Sequence, residues 1–248
     1  MNPNSQLSTL NSQLSVFITG TNTGVGKTLL TAAWLRALRI RGIDALAVKP
    51  FCSGGRADVA LLQAAQADAQ VPDAFVNPFY FPEPLAPAVA ARRHRRVITL
   101  PQALEHIRQA AQHCSALLIE GAGGLLAPLG RGFASADLIA CLRCRVVVVA
   151  PNQLGAINHT LLTVRALPPA CHPPPVIVLM DIANPDPSAA TNPAFLRKSL
   201  PGSVLCRLPY LGPDATRPEL LDLNAKKIYP LLARALAKAN YPRRFNAP

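Results

Sequence analysis

Short apolar runs alternate with stretches of helical periodicity along most of this chain. Val16–Thr19, Ala45–Lys49, Ala116–Glu120, Val146–Ala150, Val176–Met180 and Val204–Leu208 have the length and branched composition of buried strands. Between them, helices are expected near Lys27–Arg39, Ala57–Ala67, Gln102–His113, Asn158–Ala166 and Pro193–Lys198, and a closing helix over Leu221–Ala239. Continuous apolar strands separated by helices predict an α/β fold, with a mostly parallel central sheet covered by helices on both faces. The 25 prolines cluster in connections, at 72–87, 168–175, 185–193 and 209–218. Strands continue on both sides of each cluster, so one domain is expected over residues 16–240. Residues 1–15 are polar and repeat Asn-Ser-Gln-Leu-Ser, starting at Asn4 and again at Asn11. They read as a disordered leader.

The first strand runs into Gly20-Thr21-Asn22-Thr23-Gly24-Val25-Gly26-Lys27-Thr28, ahead of a helical pattern. Strand, glycine loop and helix start together aim backbone N–H groups and a helix dipole at one point. Lys27 is suited to the outer phosphates of a nucleoside triphosphate, and the Thr28 hydroxyl to Mg²⁺. The expected fold is therefore P-loop NTPase-like, with Thr23, Gly24, Val25, Gly26, Lys27 and Thr28 as nucleotide ligands. Five residues, not the usual four, separate Gly20 from Gly26-Lys27-Thr28.

Parallel sheets bind ligands at the carboxyl ends of their strands, which selects further residues. Lys49 could neutralise a phosphate or a reacting carboxylate, and Ser53 and Gly54 could hydrogen-bond a substrate. Glu120 is a candidate metal ligand, and Gly121, Gly123 and Gly124 permit close backbone approach to a ligand, Gly121 and Gly123 to the nucleotide. Asp58 is either a second carboxylate on the metal or a favourable charge in a first helical turn. The helix start Gly155–Asn158 suits a carboxylate, or is ordinarily capped. No Ser-His-Asp or Cys-His arrangement emerges from the spacing. Phosphoryl transfer by positioning and charge fits better than covalent catalysis.

Composition narrows the reading. Half the residues are apolar, no apolar run approaches a bilayer span, and no signal peptide is evident, so a cytoplasmic protein without a membrane partner is expected. Of six cysteines only Cys141 and Cys144 are closely spaced, which favours thiols packed beside the strand at Val146 over a zinc site. The net charge is +12, with Arg92-Arg93-His94-Arg95-Arg96 the densest cluster and Arg243-Arg244 near the end. With few aromatics interleaved, this is not a nucleic-acid platform.

With these residues assembled, the chain resembles the dethiobiotin synthetases. The loop Gly20–Thr28 is similar to theirs, including its spacing. So are Lys49-Pro50 with Ser53-Gly54, Asn77-Pro78 with Glu83-Pro84, Glu120-Gly121-Ala122-Gly123-Gly124, and Leu154-Gly155 with Ile157-Asn158-His159 and Leu162-Thr163. The resemblance runs from about residue 16 to 215. It implies ATP- and CO₂-dependent ring closure of 7,8-diaminononanoate, by way of a carbamate and a carbamic-phosphoric anhydride. It implies catalytic roles for Lys27 and Lys49, and Mg²⁺ held by Thr28, Asp58 and Glu120. Thr23, Lys49 and Ser53 would contact the diamine or its carbamate. The substrate carboxylate would dock on Gly155, Ala156 and Asn158 of a partner subunit, so a homodimer is implied. Met180 stands where many members carry an asparagine that reads adenine, and methionine cannot make that pair of hydrogen bonds. Two rival readings share the loop chemistry: the ATP-dependent domain of cobyrinate-type amide synthases and a partitioning-type switch ATPase. The chain is short for the first, and it lacks the early loop lysine usual in the second.

Overall fold

The computed structural model describes residues 14–69, 71–169 and 173–241. The expected leader lies outside these residues except at its end, because the first strand, β1, already begins at Leu14 (Leu14–Gly20). Cys171 and Arg243-Arg244 also fall outside them.

After β1 come α1 (Lys27–Ile40), β2 (Ala45–Val48), β3 (Phe51–Ser53), α2 (Ala57–Ala65), α3 (Asp73–Val76) and β4 (Phe79–Phe81). Next are α4 (Pro87–Arg93), α5 (Leu100–Gln112), β5 (Ala116–Glu120), β6 (Pro128–Gly130), β7 (Phe133–Ala134) and α6 (Ser135–Leu142). The chain then forms β8 (Arg145–Pro151), α7 (Ala156–Arg165), β9 (Val176–Met180), α8 (Ser188–Ser199), β10 (Val204–Leu208) and α9 (Leu221–Lys238).

Six of these strands form one sheet in the order β10-β9-β8-β1-β5-β2, and every neighbouring pair is parallel. The strands are apolar on both faces because both faces are covered. Val16, Ile18, Leu118, Val147 and Val178 pack into one core with Trp34 of α1 and Ile228 and Leu232 of α9. The intervening Phe17, Leu117, Ile119, Val146, Val148 and Ile177 pack into the opposite core with Ile107 of α5 and Leu138 of α6. Strands with no polar face read as unbroken apolar runs.

Three sequence expectations are corrected. Lys49 lies just past β2 rather than within it. The helix expected at Pro193–Lys198 begins five residues earlier, at Ser188, with Pro193 inside it. Much of the expected connection at 72–87 is ordered as α3, β4 and the approach to α4. Besides the single-turn α3, two helices, α4 and α6, lie outside the expected set. Both are short, and their apolar positions follow or precede other apolar residues too closely for a period to stand out. Among the thiols beside β8, Cys144 is buried as expected but Cys141 is exposed, and no metal-binding cluster occurs among the described residues.

Since all six strands run the same way, Gly20, Val48, Glu120 and Pro151 end at one edge. Central β1 is flanked by β5 on one side and β8 on the other, and the crevice at its carboxyl end is where such sheets hold ligands.

Candidate functional site

Gly26 caps α1 in the left-handed conformation at φ 97°, and a Cβ there would lie 3.2 Å from the Met180 methyl. Only glycine meets both demands without strain. The turn leaves Lys27 as the first helical residue, with no acidic side chain in the first turn to offset the dipole. The Lys27 ammonium donates to the carbonyl of Asn22 at 2.8 Å and thus spans the loop from within. Burial pushes its pKa down to about 8, although Glu120 pulls the other way.

Glu120, the last residue of β5, is almost fully buried. Its Oε1 accepts from the Thr28 hydroxyl at 2.6 Å and from the Lys49 ammonium at 2.8 Å. Lys49 donates also to Asp58, which sits in the first turn of α2. Burial alone would lower the Lys49 pKa, but Glu120 and Asp58 together outweigh it and hold that pKa above its ordinary value. Lys49 is therefore a fixed positive charge, whereas Lys27 is a titratable one. The other carboxylate oxygen of Glu120, Oε2, is buried without a hydrogen-bond partner. An orphaned carboxylate oxygen beside a threonine hydroxyl, with a second carboxylate on the same lysine, is an all-oxygen set suited to a hard divalent cation.

Asn77 holds this arrangement from behind. Its buried amide donates to the carbonyl of Lys49 at 2.8 Å and weakly to that of Pro50, fixing the turn that presents the lysine. The sequence flagged Asn77-Pro78 but assigned it no task; a single asparagine set among the apolar residues Phe75, Val76, Pro78 and Phe79 is the signal that could have done so.

In front of Lys49 opens a pocket of about 400 Å³, with Asn22, Thr23, Ser53, Asp58 and Gly123 among its polar and backbone walls. Phe51, Leu85, Ala122 and Ala127 supply an apolar wall, as do Pro84 and Pro87. Leu85, Pro87 and Ala127 belong to no site segment selected from the sequence, and Phe51, Pro84 and Ala122 were given no role, because an apolar wall looks like core until the chain is folded. Cys52 also lines the pocket, but burial pushes its thiol pKa up, so it is a poor nucleophile. The Ser53 hydroxyl is buried with no partner. Gly123 and Gly124 bring the loop after β5 alongside the phosphate loop: a Cβ on Gly123 would lie 3.8 Å from the Thr23 hydroxyl, and one on Gly124 3.6 Å from the carbonyl of Thr21. Gly121 is fixed to β1 through its N–H to the carbonyl of Ile18. Thr23, Gly24 and Val25 complete the loop.

Gly155, Ala156 and Asn158 start α7 as expected, with Gly155 as its cap. They follow β8, on the opposite side of β1 from Lys49 and Glu120, and they do not line the pocket. Met180 is buried at the end of β9, packed beside Gly26, while Asp181 accepts from Arg207 and from the buried amide of Asn152. Two carboxylates and two lysines thus converge between a phosphate loop and a half-apolar pocket, an arrangement fit to hold two anions together while phosphate is transferred.

Similarities to known proteins agree with this geometry. The AAA domain family matches residues 15–218. The chain is 41% identical over 206 residues to the ATP-dependent dethiobiotin synthetase of Anaeromyxobacter sp. (strain K), covering 82% of this chain and 92% of that protein. It is 34% identical over 222 residues to the enzyme of the same name from Bacillus licheniformis, covering 87% and 90%. The solved signal recognition particle receptor FtsY from Elizabethkingia anophelis, in complex with GDP, has a TM-score of 0.51 at 12% identity, over 87% of this chain and 64% of that one. At that identity the likeness is one of fold.

Proposed function

This chain belongs to the ATP-dependent dethiobiotin synthetases, and from that we propose how its residues close the ureido ring of dethiobiotin in biotin biosynthesis. The enzyme is an ATP-dependent ligase. Its substrates are ATP, CO₂ and 7,8-diaminononanoate. The observation that carries the reading is the chain of contacts Thr28–Glu120–Lys49–Asp58, which ties the phosphate loop to the pocket beyond Lys49.

One amine of the substrate takes up CO₂ as a carbamate and loses a proton. A carbamate oxygen then attacks the γ-phosphorus, and ADP leaves. The second amine attacks the carbonyl carbon of the resulting anhydride and loses a proton, and phosphate departs as the ring closes. Carbamate and triphosphate repel each other, so the site must supply positive charge to both. Lys27 serves the phosphates. Lys49, held charged by its two carboxylates, serves the carbamate. The unpartnered Ser53 hydroxyl and Thr23 orient the diamine, while the apolar wall around Phe51 and Leu85 covers its methylenes and excludes water. Gly24, Val25, Gly26, Gly121 and Gly123 offer backbone to the nucleotide. Mg²⁺ would be held by Thr28, Asp58 and Glu120, for which the orphaned Oε2 of Glu120 is the support, and would offset phosphate charge.

Gly155, Ala156 and Asn158 do not line this chain's own pocket, so the substrate carboxylate is assigned to the same helix start of a second copy. The working form is then a homodimer, and a cytoplasmic one, where ATP is supplied. Among the described residues no helix is long and apolar enough to cross a membrane.

The test is phosphate release from ATP, Mg²⁺ and bicarbonate with and without 7,8-diaminononanoate, with mass spectrometry of the product. Release that requires the diamine and yields a ring-closed product supports the reading. Hydrolysis indifferent to the diamine but stimulated by DNA or lipid overturns it. Sedimentation analysis tests the dimer separately.

A further inference from the structure

The arginine cluster left unexplained by this chemistry forms one wall of a second pocket. Arg92, Arg95 and Arg96 close the end of α4 and the turn after it, and Arg131 reaches the same pocket from the turn between β6 and β7. The cavity is about 330 Å³, with a floor of Ala88, Ala91 and Ile98. No acidic residue lines it, and none of the four arginines forms an ion pair among the described residues. Glu83, which could have offset the cluster, is bonded to His94 instead.

The gathering is built by the fold. Arg95 has a left-handed backbone, φ 52°, at the turn where the chain leaves α4, a conformation that costs a non-glycine residue energy. The N–H of Arg96 returns to the carbonyl of Ala91, and its guanidinium stacks over the Phe81 ring at 5.2 Å. Arg131 arrives through a backbone bond from its N–H to the carbonyl of Ile98 at 2.8 Å. That approach depends on Gly130, where a Cβ would lie 2.5 Å from the same carbonyl. Like charges gathered around one cavity repel unless an anion lies between them, and guanidinium forks match phosphate oxygens.

We propose that this pocket is a binding site for a small phosphate-bearing anion, separate from the phosphate loop. A concave cavity of this size admits one or two phosphate groups, not a polymer backbone, and its aliphatic floor offers no base-stacking platform. The pocket lies against the same helix, α4, whose first residue, Pro87, walls the candidate substrate pocket.

Equilibrium dialysis of radiolabelled inorganic pyrophosphate tests this, with the full chain saturated by a non-hydrolysable ATP analogue so that the phosphate loop is occupied. A parallel arm uses inorganic phosphate, and ionic strength is held constant with chloride. Saturable binding of one pyrophosphate per chain is expected to persist under the analogue. It should weaken by about tenfold or more in R95A/R131A, whose side chains are exposed and not part of the core. The exposed R165A should bind as the parent does. Tighter binding of pyrophosphate than phosphate assigns the site to diphosphate groups; the reverse assigns it to monophosphates. Loss of all binding under the analogue, or equal affinity in R95A/R131A and the parent, overturns the proposal. Since the readout is binding and not turnover, its failure is distinct from a failure of the ligase reading.

Discussion

Lys27 should take up a proton when nucleotide binds. Burial lowers its pKa from 10.5 to about 8, which favours the neutral amine by roughly 3 kcal/mol relative to a lysine in water. At pH 8 about half of the free chains would then carry a neutral Lys27. Triphosphate oxygens beside the amine restore the charge, so binding takes up about half a proton per site at pH 8 and close to one at pH 9. Lys49 does not contribute, because Glu120 and Asp58 overcome its burial and keep it charged. Calorimetric titration with a non-hydrolysable ATP analogue and Mg²⁺, in buffers of different ionisation enthalpy, reads this uptake directly. K27R should abolish it, since a guanidinium does not deprotonate in this range. Uptake below about a tenth of a proton at pH 8.5 in the parent would refute the reasoning. The same shift has a sign in stability. Between about pH 8 and 10.5 the unfolded chain still holds a proton that the folded one has lost, so this group makes stability rise with pH over that window.

Three substitutions probe the rest of the site and its frame. S53A should raise the KM for the diamine by about three- to tenfold and leave thermal stability unchanged, because the hydroxyl has no partner within the protein; steady-state kinetics and melting curves check the two halves independently. E120Q should lower turnover by about a hundredfold or more. It should also cost on the order of 3 kcal/mol in a denaturant titration, since Lys49 would keep only the half-exposed Asp58 as a counter-charge. G130A should destabilise the fold by about 1–3 kcal/mol, as a Cβ would lie 2.3 Å from the Phe133 ring and 2.5 Å from the Ile98 carbonyl; an unchanged midpoint of unfolding would contradict the close approach.

The six strands of the main sheet and the long helices were legible because each has a pattern that a few residues reveal, whereas the short pairs β3-β4 and β6-β7 were not. Valine-rich runs announce strands buried on both faces, and the glycine loop before Lys27 announces a phosphate site whatever surrounds it. Glu120 and Lys49 were legible by position alone, as polar residues ending apolar runs in a parallel sheet. The sequence also said that Lys49 and Asp58 belong near a ligand, but not that they touch each other. That contact depends on the turn held by Asn77 and on where α2 starts, both consequences of packing. The apolar wall of Phe51, Leu85 and Ala127 could not be separated from core, since burial in a pocket and burial in a core select the same side chains. Strand order, too, came only from the fold: β1 lies between β5 and β8, so Glu120 and Gly155 fall on opposite sides of the phosphate loop. Nor does sequence distance show that Arg131 joins Arg92, Arg95 and Arg96. A chain of local preferences determines which segments are strands, which are helices and which loop faces phosphate. Which side chains then share a charge, a pocket or a proton is decided by contacts between segments far apart in sequence, and those exist only once the sheet is assembled.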